Sequence, residues 1–209
     1  MRYAPGESFV NSKQRRVPVS LDAPVFTLTH AMGFKGVLGG EYNFNRTEAS
    51  IWKRFWLPAS WGKIDCSVKA GAEWNTVPFP LLILPEANLS YITQRETFCL
   101  INNMEFLNDR FASMSISYDM NGKLFNRIPL LKNLKWREMF RVRALWGTLT
   151  DKNNPFKSSN PDLFRFPTRD GKFTSFVMDP KVPYVEASVG IYNIFKLLHV
   201  EYVHRFTYR

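Results

Sequence analysis

A chain of 209 residues with 45% hydrophobic residues can bury a core, which excludes an intrinsically disordered protein. No apolar run approaches the ~20 residues of a membrane-spanning helix, and the first ten residues have no apolar signal region, so an exported form needs a signal upstream. The net charge of +10 is spread along the chain, and we expect it to lie in loops and inside the fold rather than on a nucleic-acid surface.

The first part of the chain predicts successive β-strands. Residues 1–21 begin with a strand remnant and continue as a polar connector. Strands follow at residues 24–36, 45–56 and 63–75, in which apolar and polar side chains alternate. Because successive side chains of a strand point to opposite faces, each strand has one apolar and one polar face.

Residues 77–93 interrupt this alternation. They are largely apolar, and three prolines exclude a central strand. A long apolar loop is a liability unless it packs against something. We therefore expect this loop to be covered by the rest of the fold.

The second part of the chain predicts five more strands. A hairpin is expected at residues 95–106 and 110–119, around a turn at 107–109, and a further strand at 135–149. The loop at 122–134 has room for one helical turn, and residues 150–180 form a long polar loop.

The chain ends in a hairpin whose second strand spans residues 198–208. Val200, Tyr202 and Phe206 alternate there with Glu201 and Arg205. Charges in mid-strand, opposite an apolar face that ends in aromatic residues, are typical of a transmembrane barrel strand. A soluble β-domain also alternates, so these two strands alone leave both classes open.

Eight strands, or nine with the remnant, recur with turns between them. This order predicts an all-β protein, an antiparallel up-and-down transmembrane β-barrel. In such a barrel the loop at 77–93 becomes a plug of the lumen. Its candidate residues are Pro78, Phe79, Pro80, Asn88 and Tyr91.

Charged residues on the polar faces are the remaining candidates for a functional site. They are His199, Glu201 and Arg205 in the last strand, and Arg137, Arg141 and Arg143 in the strand at 135–149. We interpret them as a lumenal cluster in which the arginines pair with carboxylates such as Glu73 or Glu186. No catalytic motif, metal-ligand spacing or cofactor motif occurs, so we expect no enzyme and no cofactor.

The two cysteines, Cys66 and Cys99, show no metal-ligand spacing, and a disulfide between them is left open. Two other functions stay as alternatives. A barrel enzyme of the lipase or protease type needs a catalytic set at its rim. A soluble β-domain that binds nucleic acid needs aromatic residues on the face that carries the cations, whereas here they mostly lie opposite.

Several stretches together resemble one known family. They are KRFWLP, KAGAEWNTVPFPLLILPEANLSY, NNMEFLNDRFASMSISYDMNGKLFNRIPLLKNLKWRE, LWGTLTDKNNP and PYVEASVGIYNIFKLLHVEYVHRFTYR. The family is that of outer-membrane β-barrels with an N-terminal carboxypeptidase-regulatory-like domain, which is similar to the BamA-type (bacterial surface antigen) barrels. The resemblance covers nearly the whole chain.

The resemblance implies the C-terminal half of a barrel of about sixteen strands in the outer membrane of a Gram-negative bacterium. It implies contact with outer-membrane lipid and lipopolysaccharide, and pairing with the missing N-terminal half or another chain. It also implies a role in outer-membrane protein assembly or transport. We expect that these strands do not close into a ring by themselves.

The resemblance also predicts which end of the barrel each loop occupies. With the C-terminus in the periplasm, the loops at 77–93 and 122–134 lie outside the cell and the loop at 150–180 lies in the periplasm. The lumenal loop of BamA-type barrels carries an Arg-Gly-aromatic motif. Residues 88–91 read Asn-Leu-Ser-Tyr at that place and lack the Arg and the Gly.

Overall fold

The computed structural model describes residues 1–90, 92, 94, 96–157, 163–166 and 168–209, and within them the protein is all-β and antiparallel. Its strands are β1 (Arg2–Tyr3), β2 (Phe9–Asn11), β3 (Arg16–Pro18), β4 (Val25–Gly33), β5 (Phe44–Trp56), β6 (Lys63–Glu73), β7 (Arg110–Asp119), β8 (Arg137–Thr148), β9 (Thr168–Arg169), β10 (Lys172–Phe173), β11 (Tyr184–Ile194) and β12 (Leu198–Arg205). Helical structure comprises two 3₁₀ turns, Phe79–Leu81 and Phe125–Arg127, and one short helix, α1 (Pro129–Leu134). No helix among the described residues is long and apolar enough to cross a membrane.

Eight of the strands form one sheet in the order β1-β4-β5-β6-β7-β8-β11-β12. The strands β2 with β3 and β9 with β10 form two small separate hairpins. The sheet is a meander in which neighbours in sequence are neighbours in space. It has two edges, β1 and β12, so the strands do not close into a ring within the described part of the chain.

Most of the predicted strands are confirmed. The remnant at the start pairs with β4, the helical turn expected within 122–134 is present, and the terminal hairpin is formed by β11 and β12. The turn between those two strands places Asn193, Phe195 and Lys196 at positive φ, a conformation that tight hairpin turns require.

The predicted strand at 95–106 is wrong. The strand β6 pairs directly with β7, and residues 96–106 are bends and turns within one connection, loop 74–109. Apolar side chains of this segment, Phe98, Ile101 and Phe106, are buried against Leu145 and Tyr184 of the sheet. This segment therefore packs onto the face of the sheet and does not pair with β6 or β7 as an additional strand.

Because the sheet has one strand fewer here than predicted, loop 74–109 lies at a different end of the sheet from the predicted one. Loop 74–109, loop 149–183 and the residues after β12 all lie at the end that we call the loop end. The turn at 57–62, loop 120–136 and the turn at 195–197 lie at the opposite end, the turn end. The prediction that 77–93 and 122–134 share one end while 150–180 lies at the other is therefore wrong.

The core sits at the loop end, between the two long connections. One cluster joins Phe98, Phe106, Met178 and Tyr184. A second joins Val77, Leu82, Leu107, Leu149 and Phe166. The long polar loop expected at 150–180 thus contributes buried apolar residues and the small hairpin of β9 and β10.

Candidate functional site

The strand registers divide the sheet into two faces, because residues paired across antiparallel strands point the same way. We call one the polar face. It carries, strand by strand, Thr27 and Thr29, Arg46, Glu48 and Ser50, Asp65, Ser67 and Lys69, Ser113, Ser115 and Ser117, Arg141 and Arg143, Glu186 and Ser188, and Glu201 and Arg205. The other, the apolar face, carries the alternating hydrophobic residues.

Loop 74–109 lies over the polar face, and its backbone is held there by charged side chains of the sheet. The centre of this contact is Arg143 of β8, which pairs with Glu186 of β11 at 2.7 Å. The backbone N–H groups of Cys99 and Leu100 donate to the Glu186 carboxylate at 2.9 and 3.1 Å, and Arg143 donates to the carbonyl oxygen of Gln94 at 3.2 Å. Two side chains of the sheet thus replace the partners that these loop groups would otherwise find in water.

Arg205 of the neighbouring strand β12 also binds loop 74–109. Its guanidinium donates to the carbonyl oxygen of Leu100 at 3.1 Å and pairs with the Glu105 carboxylate at 2.6 Å. The charge also lies over the ring of Tyr184, 4.9 Å from the centroid. A bond to a charged group contributes more than a neutral one, so this contact fixes the second half of the loop.

The first half of the loop is held by cations of β5 and β6. Lys69 pairs with Glu86 at 2.6 Å and with Glu96 at 3.5 Å. Arg46 donates to the carbonyl oxygen of Leu81 at 2.6 Å. The loop is therefore attached at both ends of its path across the polar face.

A network of buried hydrogen bonds joins loop 74–109 to loop 149–183. The carboxylate of Asp109 accepts from the hydroxyl and the backbone N–H of Thr150, and from Asn153 at 3.0 Å. Asn153 in turn accepts from the backbone N–H of Val77 at 2.8 Å. Since Asp109 and Asn153 are buried, the two connections form one packed body.

The predicted charged residues lie on the polar face, but they form two groups rather than one. Arg141 pairs with Glu201 at 3.1 Å, and Glu201 also accepts from the hydroxyl of Ser188. His199 lies 3.3 Å from the Glu201 carboxylate and stacks on Tyr192. Arg141, Tyr192 and His199 line a cavity between the polar face and the loop.

Arg143 and Arg205 belong to the second group, the clamp around loop 74–109. The predicted pairing of Arg143 with Glu186 is present, whereas Glu73 pairs with Arg46 at 3.8 Å instead. Arg137 is exposed at the turn end and contacts the first group only through Tyr192, whose ring centre lies 6.0 Å from its guanidinium carbon.

The candidate plug residues occupy different parts of the loop. Pro78 is buried, Phe79 packs against the cluster around Val77, and Pro80 is exposed. Asn88 closes a tight turn by donating to the carbonyl oxygen of Ile92 at 3.1 Å and accepting from Ser90. Tyr91 lies outside the described residues.

The sequence does not identify residues 98–106, including Glu105, as part of the segment that covers the polar face. The sequence predicts a strand there, as the first arm of a hairpin, whereas Phe98, Ile101 and Phe106 pack onto the sheet as part of the core. One feature of the sequence could have indicated this role. Glu105 lies between the apolar residues Met104 and Phe106, and a carboxylate that is buried with them needs a cation from elsewhere in the chain.

Two cavities remain between the polar face and loop 74–109. One, of about 430 Å³, is lined by Trp52, Ser67, Ser115, Met139, Tyr192 and His199, among others. The other, of about 560 Å³, lies beside Arg46, Glu48 and residues 80–86 of the loop. The loop therefore narrows the space over the polar face without filling it.

Neither cysteine forms a disulfide. Cys66 lies in the middle of β6, and the thiol of Cys99 is 3.2 Å from a guanidinium nitrogen of Arg143. Among the described residues no group of three or more His, Cys, Asp and Glu side chains could hold a metal ion.

These features define the class of the protein: an all-β protein with an open antiparallel sheet, one apolar face, and one polar face covered by a long inserted loop. The chain belongs to a family of unknown function (DUF5686), whose C-terminal domain matches residues 1–156. Comparison with curated proteins and with solved structures gives no match.

Proposed function

We propose that the chain is a membrane-spanning segment of an outer-membrane β-barrel in a Gram-negative bacterium, with a transport or assembly role and no enzymatic activity. One observation carries the proposal. Six of the seven long strands expose large apolar side chains on the apolar face, while the charged side chains named above on the polar face are buried or half-buried. Val142 is 43% exposed, for example, whereas its neighbours Arg141 and Arg143 in β8 are 4% and 1% exposed.

A protein folded in water favours the reverse arrangement. Burial of apolar area contributes about 25 cal/mol per Å², and burial of a charge carries a cost unless the charge is paired. In a barrel the apolar face meets lipid and the charges face the lumen, which removes the conflict. The long strands also have a suitable length, from eight to thirteen residues.

An unbroken apolar row supports contact with lipid. The registers join six residues side by side across six strands. They are Phe55, Ile64, Tyr118, Phe140, Val189 and Tyr202. A row of this kind forms a continuous band around a barrel wall, and its aromatic members suit the interface between lipid and water.

The two edge strands of the sheet, β1 and β12, need partner strands for their free backbone N–H and C=O groups. Hydrocarbon cannot satisfy the free backbone groups of β1 and β12. The missing N-terminal half of a larger barrel, or a second chain, would supply those strands, and nucleic acid has no place in this arrangement. The family match to a C-terminal domain agrees with further strands elsewhere in the protein.

We assign the loop end, together with the residues after β12, to the outside of the cell, in place of the periplasmic C-terminus that the resemblance implies. Outer-membrane barrels have short periplasmic turns and longer extracellular loops. The loop end carries loops 74–109 and 149–183, whereas the turn end has the short connections 57–62 and 195–197. In this orientation loop 74–109 enters the lumen from outside and acts as a plug.

Cell fractionation tests the proposal. The full-length protein should be recovered with the outer membrane, resist extraction by alkaline carbonate, and stay folded only in detergent or lipid. Recovery of a folded monomer from the aqueous fraction without detergent would contradict it.

A further inference from the structure

Loop 120–136 combines positive charge with exposed apolar side chains at the turn end. From Asn121 to Arg137 the chain contains five cations and no aspartate or glutamate. Arg127, Lys132 and Lys135 are exposed, and the ion pairs of the described residues involve other cations. This loop is therefore a source of positive charge with no carboxylate partner of its own.

The same loop exposes large hydrophobic residues that neither core cluster covers. Leu130 is 81% exposed, and Leu124, Ile128 and Leu134 are also exposed. Leu124 and Ile128 flank a 3₁₀ turn of three residues, and Leu130 and Leu134 lie in the six-residue helix α1. Such a small element cannot bury these side chains against itself, so an outside surface has to receive them.

The loop is tied to the rim of the apolar face. The carboxylate of Glu138 accepts from the backbone N–H of Phe125, and Glu138 is in register with Ile191 of the apolar face. Lys123 donates to the carbonyl oxygen of Ala59 at 2.7 Å, with its charge 5.2 Å from the centre of the Trp61 ring. The loop is thereby held beside the region that, on the proposed function, meets lipid.

We infer that loop 120–136 is an interfacial anchor that binds anionic phospholipid in the periplasmic leaflet. Leu124, Ile128 and Leu130 enter the boundary between headgroups and acyl chains, and Arg127, Lys132 and Lys135 contact phosphate. Interfacial helices have this composition, with Lys and Arg beside Leu and Trp. The inference rests on the proposed function, since the assigned orientation places the turn end in the periplasm.

Lipid titration of the full chain, folded in zwitterionic micelles, tests the anchor. Dioctanoyl phosphatidylglycerol, dioctanoyl phosphatidylcholine and purified lipid A are added separately, and bound lipid is counted by native mass spectrometry. We expect tight binding of phosphatidylglycerol and weak binding of phosphatidylcholine. The variant R127Q/K132Q/K135Q should lose about fivefold in affinity for phosphatidylglycerol per charge removed.

A matched variant removes the same charge at the loop end. R169Q/K172Q/K181Q replaces three exposed cations there and should bind phosphatidylglycerol like the wild type. Equal losses in the two variants, or equal binding of the two phospholipids by the wild type, would overturn the inference. Tighter binding of lipid A through Arg127, Lys132 and Lys135 would overturn the assignment to phospholipid.

Failure of the anchor and failure of the proposed function give different results. A chain that inserts into phosphatidylcholine bilayers but shows no preference for phosphatidylglycerol contradicts only the anchor. A chain that folds in water without detergent contradicts both.

Discussion

The guanidinium of Arg143 and the carboxylate of Glu186 form a buried ion pair, 2.7 Å apart and 1% exposed on each side, that also holds the backbone of an inserted loop. Glu186 accepts from two backbone N–H groups of that loop and from the hydroxyl of Tyr184 at 2.9 Å. All the acceptor sites of the carboxylate that face the loop are therefore in use. A buried pair is tolerated when hydrogen bonds satisfy the lone pairs of its carboxylate, as they do for Glu186.

Removal of one partner of this pair should strongly destabilise the fold. The substitution Glu186→Gln leaves the charge of Arg143 buried without a carboxylate, which costs about 3–5 kcal/mol. Urea titration of the protein folded in detergent measures the loss. Glu41→Gln, at an exposed position, is the matched control and should change the free energy of unfolding by less than about 0.5 kcal/mol. Equal effects of the two substitutions would show that the clamp does not stabilise the fold.

Much of the sheet could be predicted from the sequence, because alternation records which face of a strand is apolar. The strands β4, β5, β6, β8, β11 and β12 all match predicted strands. The segment 95–106 could not be predicted correctly, since its apolar residues pack against Leu145 and Tyr184, which lie far away in sequence. That one error also placed the loop at 77–93 at the wrong end of the sheet relative to the other two long loops.

The candidate site could be predicted only in part for a related reason. The alternation placed Arg141, Arg143, Glu201 and Arg205 on one face, and the structure agrees. Which carboxylate pairs with which arginine depends on the strand register and on the path of loop 74–109. Neither is recorded in the local pattern of residues.

Neighbouring residues of β6 give a direct test of which face meets lipid. Val68 lies on the apolar face and is 45% exposed, whereas Ser67 lines the cavity of about 430 Å³ on the polar face. In a lipid bilayer Val68→Arg should destabilise the protein by roughly 2–4 kcal/mol near the midplane, and Ser67→Arg should cost much less. Refolding titrations in vesicles measure both. If Val68→Arg is as well tolerated as a surface substitution in water, the apolar face does not meet lipid.

The turn at 57–62 should depend on a glycine for steric reasons. Gly62 has φ +90°, and a Cβ atom there would collide with the carbonyl oxygen of Asp119. Gly36 also has positive φ, at +84°, but a Cβ atom would meet no neighbour. Gly62→Ala should therefore cost more than Gly36→Ala, which should cost only about 1 kcal/mol from the strained backbone. Urea titration measures both, and equal losses would contradict the predicted collision.

Loop 74–109 should restrict passage through the completed barrel. In the full-length protein, replacement of residues 78–106 by a short Gly-Ser linker removes the segment held by Arg143 and Arg205. We expect larger conductance in planar bilayers and greater sensitivity of cells to large antibiotics. Replacement of residues 35–42 by a linker of the same kind is the control, because that loop is not among the contacts of the clamp. Unchanged conductance after removal of 78–106 would show that the loop is not a plug.

The orientation of the barrel can be tested with single cysteines at its two ends. Arg169 at the loop end and Lys135 at the turn end are both exposed, and each is replaced by Cys in a chain in which Cys66 and Cys99 are changed to Ser. Because long loops of outer-membrane barrels lie outside the cell, a membrane-impermeant maleimide added to intact cells should label Arg169→Cys and not Lys135→Cys. After permeabilisation both sites should react, which controls for the accessibility of Lys135→Cys. The opposite labelling in intact cells would reverse the orientation, and would move both the plug entrance and the proposed lipid anchor to the other side of the membrane.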